Sequence, residues 1–400
     1  MKNLLKKILP SFLLDFYYFL WPLLGALFYG FPSKNLKVIG VTGTNGKTTV
    51  VELCSKILEE AGYKVASLSS IKFKIGKKEW KNTLKMTMPG RFKLQQFLNQ
   101  AKKAGCQYVV LEVTSEGIKQ QRHRLINFEV AVFTNLSPEH LEAHGSFEKY
   151  RQTKGKLFAK TKKIHIINAD DPNANYFLKF PANKKITYSL KKESIMLQSM
   201  KLLGQFNIYN ALAAIKVGLS QGIDLETCQR AIKKVEGIPG RLEKVISEPF
   251  QVWVDYAHTP DALEKVYQIF QQKRLICVLG ACGGGRDKWK RPKLGEIAQK
   301  YCQKIILTNE DPYQEDPLKI LEEIEKGISS SNYQKILDRR LAISQALNLA
   351  NPGDLVIITG KGCEPWLCIG TKKIPWDDRE VVKEEFEKLK EAKYESLGGS

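Results

Sequence analysis

Three glycines, Gly40, Gly43 and Gly46, stand just ahead of Lys47 and Thr48 in a chain of 400 residues. Glycines let backbone amides close around an anion, a lysine adds a point charge, and a threonine hydroxyl can reach a divalent cation. The run is therefore a cradle for the phosphates of a nucleotide. The strict GxxxxGK[ST] spacing is not met, because Val41 stands where its first glycine would be. Asn207 and Asn210 fall three apart on one helical face, where their amides suit either an adenine edge or buried structural hydrogen bonds. Asp255 and His258 sit at an expected strand-to-helix turn. Active groups of open α/β sheets gather at such turns, although a helix cap would use the same residue types. The run HLEAH from His140 spaces its histidines as HExxH does but has Leu141 in place of the motif's glutamate, so a zinc site is not expected.

The elements that must position these residues follow from hydrophobic pattern. LKVIGV, the glycine loop TGTNGKTT and then VVELCSKILEEAG with helical spacing read as strand, loop and helix. Further buried strands are expected at 108–113, 130–135 and 164–169, separated by helix-like stretches, as a mostly parallel, doubly wound sheet requires. After the GIPG turn at 237–240 a second alternation begins, with VWVDYA, RLICVLGA, KIILTNE and DLVIITG as strands. The expected fold is α/β: a central P-loop-type ATPase domain at 37–238 and a C-terminal Rossmann-like domain at 239–400, preceded by an apolar helical segment at 1–36.

With 43% hydrophobic residues the chain can bury two cores. Its 63 Lys and Arg against 42 Asp and Glu give a net charge of +21, which favours anionic partners. The lysines are scattered and no Arg-rich, aromatic-interleaved tract exists, so nucleic acid is not an expected partner. Eight cysteines without CxxC or metal-ligand spacing suit a reducing compartment, and no cleavable signal peptide is expected. The N-terminal stretch is basic at Lys2, Lys6 and Lys7 and then apolar to Phe31, with Pro10, Pro22, Gly25 and Gly30 interrupting it. A membrane span wants about 20 unbroken apolar residues. The segment reads instead as a helix docked on the protein body or as an interfacial anchor through residues 1–31. A cytoplasmic protein, in membrane contact if the anchor reading holds, is expected.

The glycine loop TGTNGKTT resembles the phosphate loop of the Mur ligases and of their folylpolyglutamate synthase relatives, and later segments agree with it in family order. EVTSEG (112–117), TNLSPEHLEAHG (134–145), YRQTKGKLF (150–158), GQFNIYNALAA (204–214) and GIPGRLE (237–243) are followed by DYAHTPD (255–261), GGGRDKWKRP (283–292), GKGCE (360–364) and DDRE (377–380). The lead-in FYGFPSKNLKVIG looks like the tripeptide synthetase branch. The resemblance implies an ATP-dependent acid–amino-acid ligase of peptidoglycan precursor synthesis, with a muramyl-peptide acceptor, a free amino acid of the diamino type, ATP and magnesium; a monomer is expected. Joining a carboxylate to an amine is uphill, so the carboxylate first becomes an acyl phosphate.

On that resemblance, Lys47, Glu112, His140 and Lys154 are the expected catalytic residues, with Thr48, Glu112 and His140 as magnesium ligands and Lys154 carbamylated. Read alone, the lesser reading of Glu112 is a strand-end carboxylate paired with a lysine, and Lys154 is one solvated helix lysine among many. ATP would be held by Gly43, Thr44, Asn45, Gly46, Lys47, Thr48 and Thr49, with Asn207, Asn210, Arg241, Asp255 and His258. Thr87, Thr114, Gln120 and Arg122 match acceptor-binding positions, and Arg286, Glu310, Asp311, Tyr313, Gly362 and Glu364 match amino-acid-binding ones.

Three departures stand out. The DNPR segment of diaminopimelate-adding members reads Glu310, Asp311, Pro312, Tyr313. Loss of the arginine implies an amino acid with a cationic end, lysine or ornithine, which two acids would suit. Cys363 and Glu116 replace family histidines. About 36 residues stand where the family has a uridine-diphosphate domain, and the expectation drawn from this is a muramyl-peptide acceptor presented differently, in membrane-linked form. The alternatives are another ligase of the superfamily, folylpolyglutamate synthase-like or acting on lipid-linked precursor, and a non-catalytic membrane-associated ATP-binding protein.

Overall fold

A computed structural model describes residues 11–193 and 200–398, within which the chain forms two compact units. The first runs through Pro138 and resumes at Ser146–Glu236; the second takes Glu139–Gly145 and continues from Gly237.

The first unit is built on eight strands: β1 (Lys37–Thr42), β2 (Val65–Leu68), β3 (Lys72–Ile75), β4 (Lys78–Lys81), β5 (Tyr108–Glu112), β6 (Phe128–Phe133), β7 (Ile164–Asn168) and β8 (Lys184–Tyr188). Their order is β4-β3-β2-β5-β1-β6-β7-β8, parallel from β2 to β8, with β3 and β4 added antiparallel at one edge. β1 lies in the middle, Gly40 opposite Leu111 on one side and Ala131 on the other. Strands covered on both faces must be apolar throughout, and β5 is buried along its whole length. One face, with Val38, Val109, Leu111, Ala131 and Phe133, packs on Leu94, Leu98, Leu157 and Phe158 of the helices Arg91–Lys103 and Phe147–Lys160. The helices Lys47–Glu60 and Gln205–Ser220 pack on one another and on the other face.

The N-terminal helix Ser11–Phe28 packs on the helix Arg91–Lys103, so the docked-helix expectation describes residues 11–28. Among the described residues no helix is long and apolar enough to cross a membrane. Lys2, Lys6 and Lys7 lie outside the described residues.

The second unit has six strands, β9 (Glu243–Ile246), β10 (Gln251–Val254), β11 (Leu275–Leu279), β12 (Lys304–Leu307), β13 (Tyr333–Lys335) and β14 (Leu355–Ile358), in the order β13-β12-β11-β14-β10-β9. All pairings are parallel except β9 with β10. A hairpin, β15 (Trp366–Ile369) and β16 (Lys372–Pro375), follows. Val252, Val254, Ile276, Val278, Val356 and Ile358 meet Ile343, Leu347, Val382 and Phe386 of the helices Arg339–Asn348 and Asp378–Gly398 in one core.

Candidate active site

In the first unit the phosphate loop leaves β1 and enters the helix Lys47–Glu60 through Gly46 in a left-handed conformation, φ 81°. Gly43 also has a positive φ. A Cβ at Gly43 would meet Thr134 Oγ1, and one at Gly46 would meet Asn210 Oδ1, so neither position has room for a side chain.

The loop is held from the end of β6. Thr44 N donates to Asn135 O at 2.9 Å, Asn45 N to Asn135 Oδ1 at 2.9 Å, and Thr134 Oγ1 to Asn45 O at 2.7 Å. Thr44 Oγ1 lies 3.2 Å from Tyr150 OH, and Thr49 is buried in the first turn of the helix. Fixing the loop carbonyls this way leaves it pre-shaped for an anion at the helix N-terminus.

Lys47, Thr48, Glu112 and Lys154 all converge on this loop. Lys47 Nζ donates to Thr44 O at 2.8 Å and lies 3.9 Å from Glu112 Oε1. Thr48 Oγ1 donates to Glu112 Oε2 at 2.8 Å, and Ser70 N to the same oxygen at 3.0 Å. Lys154, fully buried, donates to Gly43 O at 2.7 Å and lies 4.6 Å from the centre of the Tyr150 ring. Burial, reinforced by the charge of Lys47, holds the Lys154 amine well below its ordinary pKa, against the pull of Glu112.

Magnesium favours oxygen donors and keeps waters and phosphate oxygens in its shell. The Thr48 hydroxyl and the Glu112 carboxylate fit that donor set. Among the described residues no group of three or more His, Cys, Asp or Glu side chains could hold a metal without help.

Asn207 and Asn210 are both buried and bond to each other, Asn210 Nδ2 to Asn207 Oδ1 at 3.1 Å, while Asn207 Nδ2 donates to Leu203 O at 2.7 Å. Asn210 Oδ1 lies against Gly46, 2.2 Å from where a Cβ there would sit.

The four acceptor candidates also fall in this unit. Thr114 caps the helix Ser115–Lys119, accepting from Gly117 N at 3.1 Å. Gln120 Oε1 accepts from Arg122 at 2.8 Å and Arg91 at 3.2 Å. Arg122 also donates to Met88 O and to Met86 Sδ, which brackets Thr87.

In the second unit His140 precedes the short helix Leu141–His144 with φ 57°. That segment is tied to the glycine-rich turn: Asp287 accepts from Leu141 N at 3.1 Å and Glu142 N at 2.9 Å, and buried Lys290 donates to Glu139 at 2.9 Å. Arg286, in the same turn, is exposed.

Asp255 accepts from Leu242 N and Ala257 N, both at 2.6 Å, thereby fixing the turn that carries Arg241, whose guanidinium stacks on Tyr256 at 4.4 Å. His258 Nδ1 faces Tyr256 O at 2.9 Å, and burial with nearby Lys290 keeps the imidazole neutral by lowering its pKa strongly.

Asp311 accepts from fully buried Lys361 at 2.9 Å and from Cys368 N at 2.8 Å. Glu364 accepts from Lys361 at 3.1 Å and from Tyr256 OH at 3.1 Å. Of the two acids read as an ammonium site, Asp311 thus already holds an ammonium of the chain itself, whereas Glu310 Oε2 is buried without a hydrogen-bond partner among the described residues. Burial pushes the Glu310 carboxyl up, with Lys361 opposing. Tyr313 takes a positive φ of 53° between Cys368 and Gly370, its N donating to Cys368 O at 3.1 Å. Gly362 has φ 57°. Beneath this segment Arg339 makes a buried bidentate pair with Asp378 at 2.8 and 2.7 Å and donates to Asn309 O and Thr359 O.

Sequence reading missed Ser70, Asp287, Lys290, Lys361 and Arg339. All but Ser70 and Arg339 sit in the segments quoted above, and the signal available was a lysine or acid beside a glycine turn.

A mostly parallel unit with this phosphate loop, followed by a Rossmann-like unit, defines a two-unit α/β nucleotide-binding architecture. Family models agree: the Mur ligase middle domain matches residues 41–201, and the Mur ligase, glutamate ligase domain matches residues 240–362. The chain belongs to the Mur ligase family, whose members are ATP-dependent acid–amino-acid ligases. Within it the chain is similar to the UDP-N-acetylmuramoyl-L-alanyl-D-glutamate–2,6-diaminopimelate ligase of Syntrophomonas wolfei, 41% identical over 396 residues, covering 90% of this chain and 80% of the relative. It is also 37% identical over 404 residues to the UDP-N-acetylmuramyl-tripeptide synthetase of a Roseiflexus species, covering 89% and 79%. A solved structure of a diaminopimelate ligase of the same name superposes with a TM-score of 0.58 at 32% identity, covering 88% of this chain and 79% of that one. Mycobacterium tuberculosis folylpolyglutamate synthase shares the fold, with a TM-score of 0.67 at 17% identity over 84% and 91%.

Proposed function

We propose that this chain adds a diamino acid to a UDP-muramyl dipeptide of the kind named for its relatives. The observation that carries the reading is the convergence of Lys47, Thr48, Glu112 and Lys154 on one phosphate loop. ATP phosphates seat on the amides of Gly43–Thr49 and on Lys47. The acceptor carboxylate attacks the γ-phosphorus and expels ADP; the amine then attacks the acyl carbon, loses a proton and expels phosphate. Magnesium, held by Thr48, Glu112 and His140, would supply charge neutralisation between the two anions. Asn207, Asn210, Arg241, Asp255 and His258 serve the nucleoside end, and Thr87, Thr114, Gln120 and Arg122 the acceptor.

Lys154 is proposed to carry a carbamate. A neutral amine is what attacks carbon dioxide, and burial favours that form. The adduct keeps one N–H that can donate to Gly43 O and adds two anionic oxygens that only accept, which suit a cation or a donor beside the phosphate loop.

For the incoming amino acid, Arg286 suits the α-carboxylate and Glu310 the distal ammonium, with Asp311, Tyr313, Gly362 and Glu364 shaping the site. Tyr313 offers no cation to a second carboxylate, which favours lysine or ornithine over diaminopimelate. Phosphate release with a panel of amino acids, product masses read out, tests this. Turnover with lysine above diaminopimelate is expected; the reverse order overturns the assignment of Glu310 and Tyr313, and no turnover with any pair overturns the ligase reading.

A further inference from the structure

The helix Ser11–Phe28 covers only half of itself. Pro22, Gly25 and Ala26 face the helix Arg91–Lys103 and are buried, Gly25 so closely that a Cβ there would sit 3.2 Å from the Gln95 side chain. The opposite side carries Leu13, Phe16, Tyr17, Trp21, Leu24, Leu27 and Phe28, spaced by three and four residues into one stripe, and it stands open: Phe16 is 61%, Leu27 57% and Phe28 74% exposed. A run of bulky apolar side chains of this length on a protein surface marks a binding face.

Its border is cationic. Arg91 lies 4.2 Å from the Tyr18 ring centre and 5.6 Å from that of Tyr17, Arg124 5.6 Å from Phe19, and Lys34 5.0 Å from Phe31. The sequence just before the helix adds Lys2, Lys6 and Lys7, and the whole chain carries +21. We propose that this stripe seats the protein on the surface of an anionic lipid bilayer, lying in the interface.

Three features choose that occupant. The stripe mixes Leu and Phe with Trp and Tyr, whose rings favour the boundary between headgroups and acyl chains. Cations beside an apolar face match anionic headgroups, whereas a second copy of this chain would set the same positive border against itself. No described helix is long and apolar enough to span, which leaves the helix in the plane of the surface.

The test uses the full chain with vesicles of phosphatidylcholine alone and of phosphatidylcholine doped with phosphatidylglycerol. Co-sedimentation with the doped vesicles, weakened by salt, is expected, with a blue shift of emission that Trp21→Phe removes. Phe16→Ser, Leu24→Ser and Leu27→Ser together should lower partitioning by about tenfold or more. Because all three side chains are exposed, the melting temperature should hold. Absence of sedimentation with doped vesicles overturns the proposal, as does equal binding by the triple variant. A concentration-dependent dimer that the triple variant abolishes and vesicles do not compete away assigns the stripe to a second copy instead.

Discussion

Lys154 Nζ and the carbonyl oxygen of Gly43 meet at 2.7 Å inside the first unit, so a lysine from one helix clasps the first residue of the phosphate loop. Burial depresses the amine's pKa. Between that lowered value and 10.5 the unfolded chain binds a proton that the native chain gives up, so stability rises with pH across the window and a cost remains at neutrality. Lys154→Met removes the titrating group: it should melt a few degrees higher at neutral pH while phosphate release falls by about a hundredfold. Calorimetry and a phosphate assay on one preparation check both. A lower melting temperature would show that the Gly43 bond outweighs the burial of the charge.

Glu112→Gln keeps the shape of the carboxylate and removes its charge. Thr48 Oγ1 and Ser70 N retain an oxygen to donate to, so the fold should hold. The magnesium concentration for half-maximal rate should rise by about tenfold or more, with a fall in kcat of about a hundredfold. An unchanged magnesium titration would remove Glu112 from the metal's shell.

Lys361 and Asp311 are both almost wholly buried and 2.9 Å apart. Lys361→Met leaves the buried Asp311 carboxylate without its counter-charge and should cost about 3–5 kcal/mol. Adding Asp311→Asn should recover much of that, since the amide needs no counter-charge. Urea titrations of the four proteins in the cycle give the coupling; strictly additive losses would mean that the pair does not act as one.

His123 is buried, its Nδ1 has no hydrogen-bond partner among the described residues, and burial together with Lys160 and Arg124 lowers its pKa from 6.5 to about 3. The unfolded chain therefore takes up a proton below 6.5 that the native chain refuses. Stability is complete above 6.5 and is lost as pH falls from there to about 3, by about 1.4 kcal/mol per pH unit. His123→Leu should flatten that limb in denaturation curves at several pH values; a limb of unchanged slope assigns the acid sensitivity to other groups.

Much of the scaffold was legible because buried parallel strands are written as continuous apolar runs. YVVLEV, VAVFTN and IHIINA correspond to β5, β6 and β7 within two residues. The edge pair β3 and β4 was not, since KFKIGKKEWK is mostly charged; its lysines are stabilised by Glu52, Glu59 and Glu79, which lie far along the chain or across the turn. In the site, glycines and the lysine of the phosphate loop announced themselves through local spacing. The partnership of Lys361 with Asp311, 50 residues apart, has no local pattern, so the sequence did not show that one of the two acids expected at an ammonium site is already paired with a lysine of the chain.

The excursion at Glu139–Gly145 bears on how such a protein can be cut and recombined. Those seven residues lie in the second unit, where Asp287 takes two of their backbone amides. The second unit is thus not a contiguous cassette. A gene fragment that begins at Gly237 would encode a domain with Asp287 deprived of its two donors and Lys290 of Glu139. Exchange of C-terminal halves between relatives at that boundary would then succeed only where the donor's glycine-rich turn tolerates the recipient's 139–145 segment, which ties two distant stretches of the gene into one unit of inheritance.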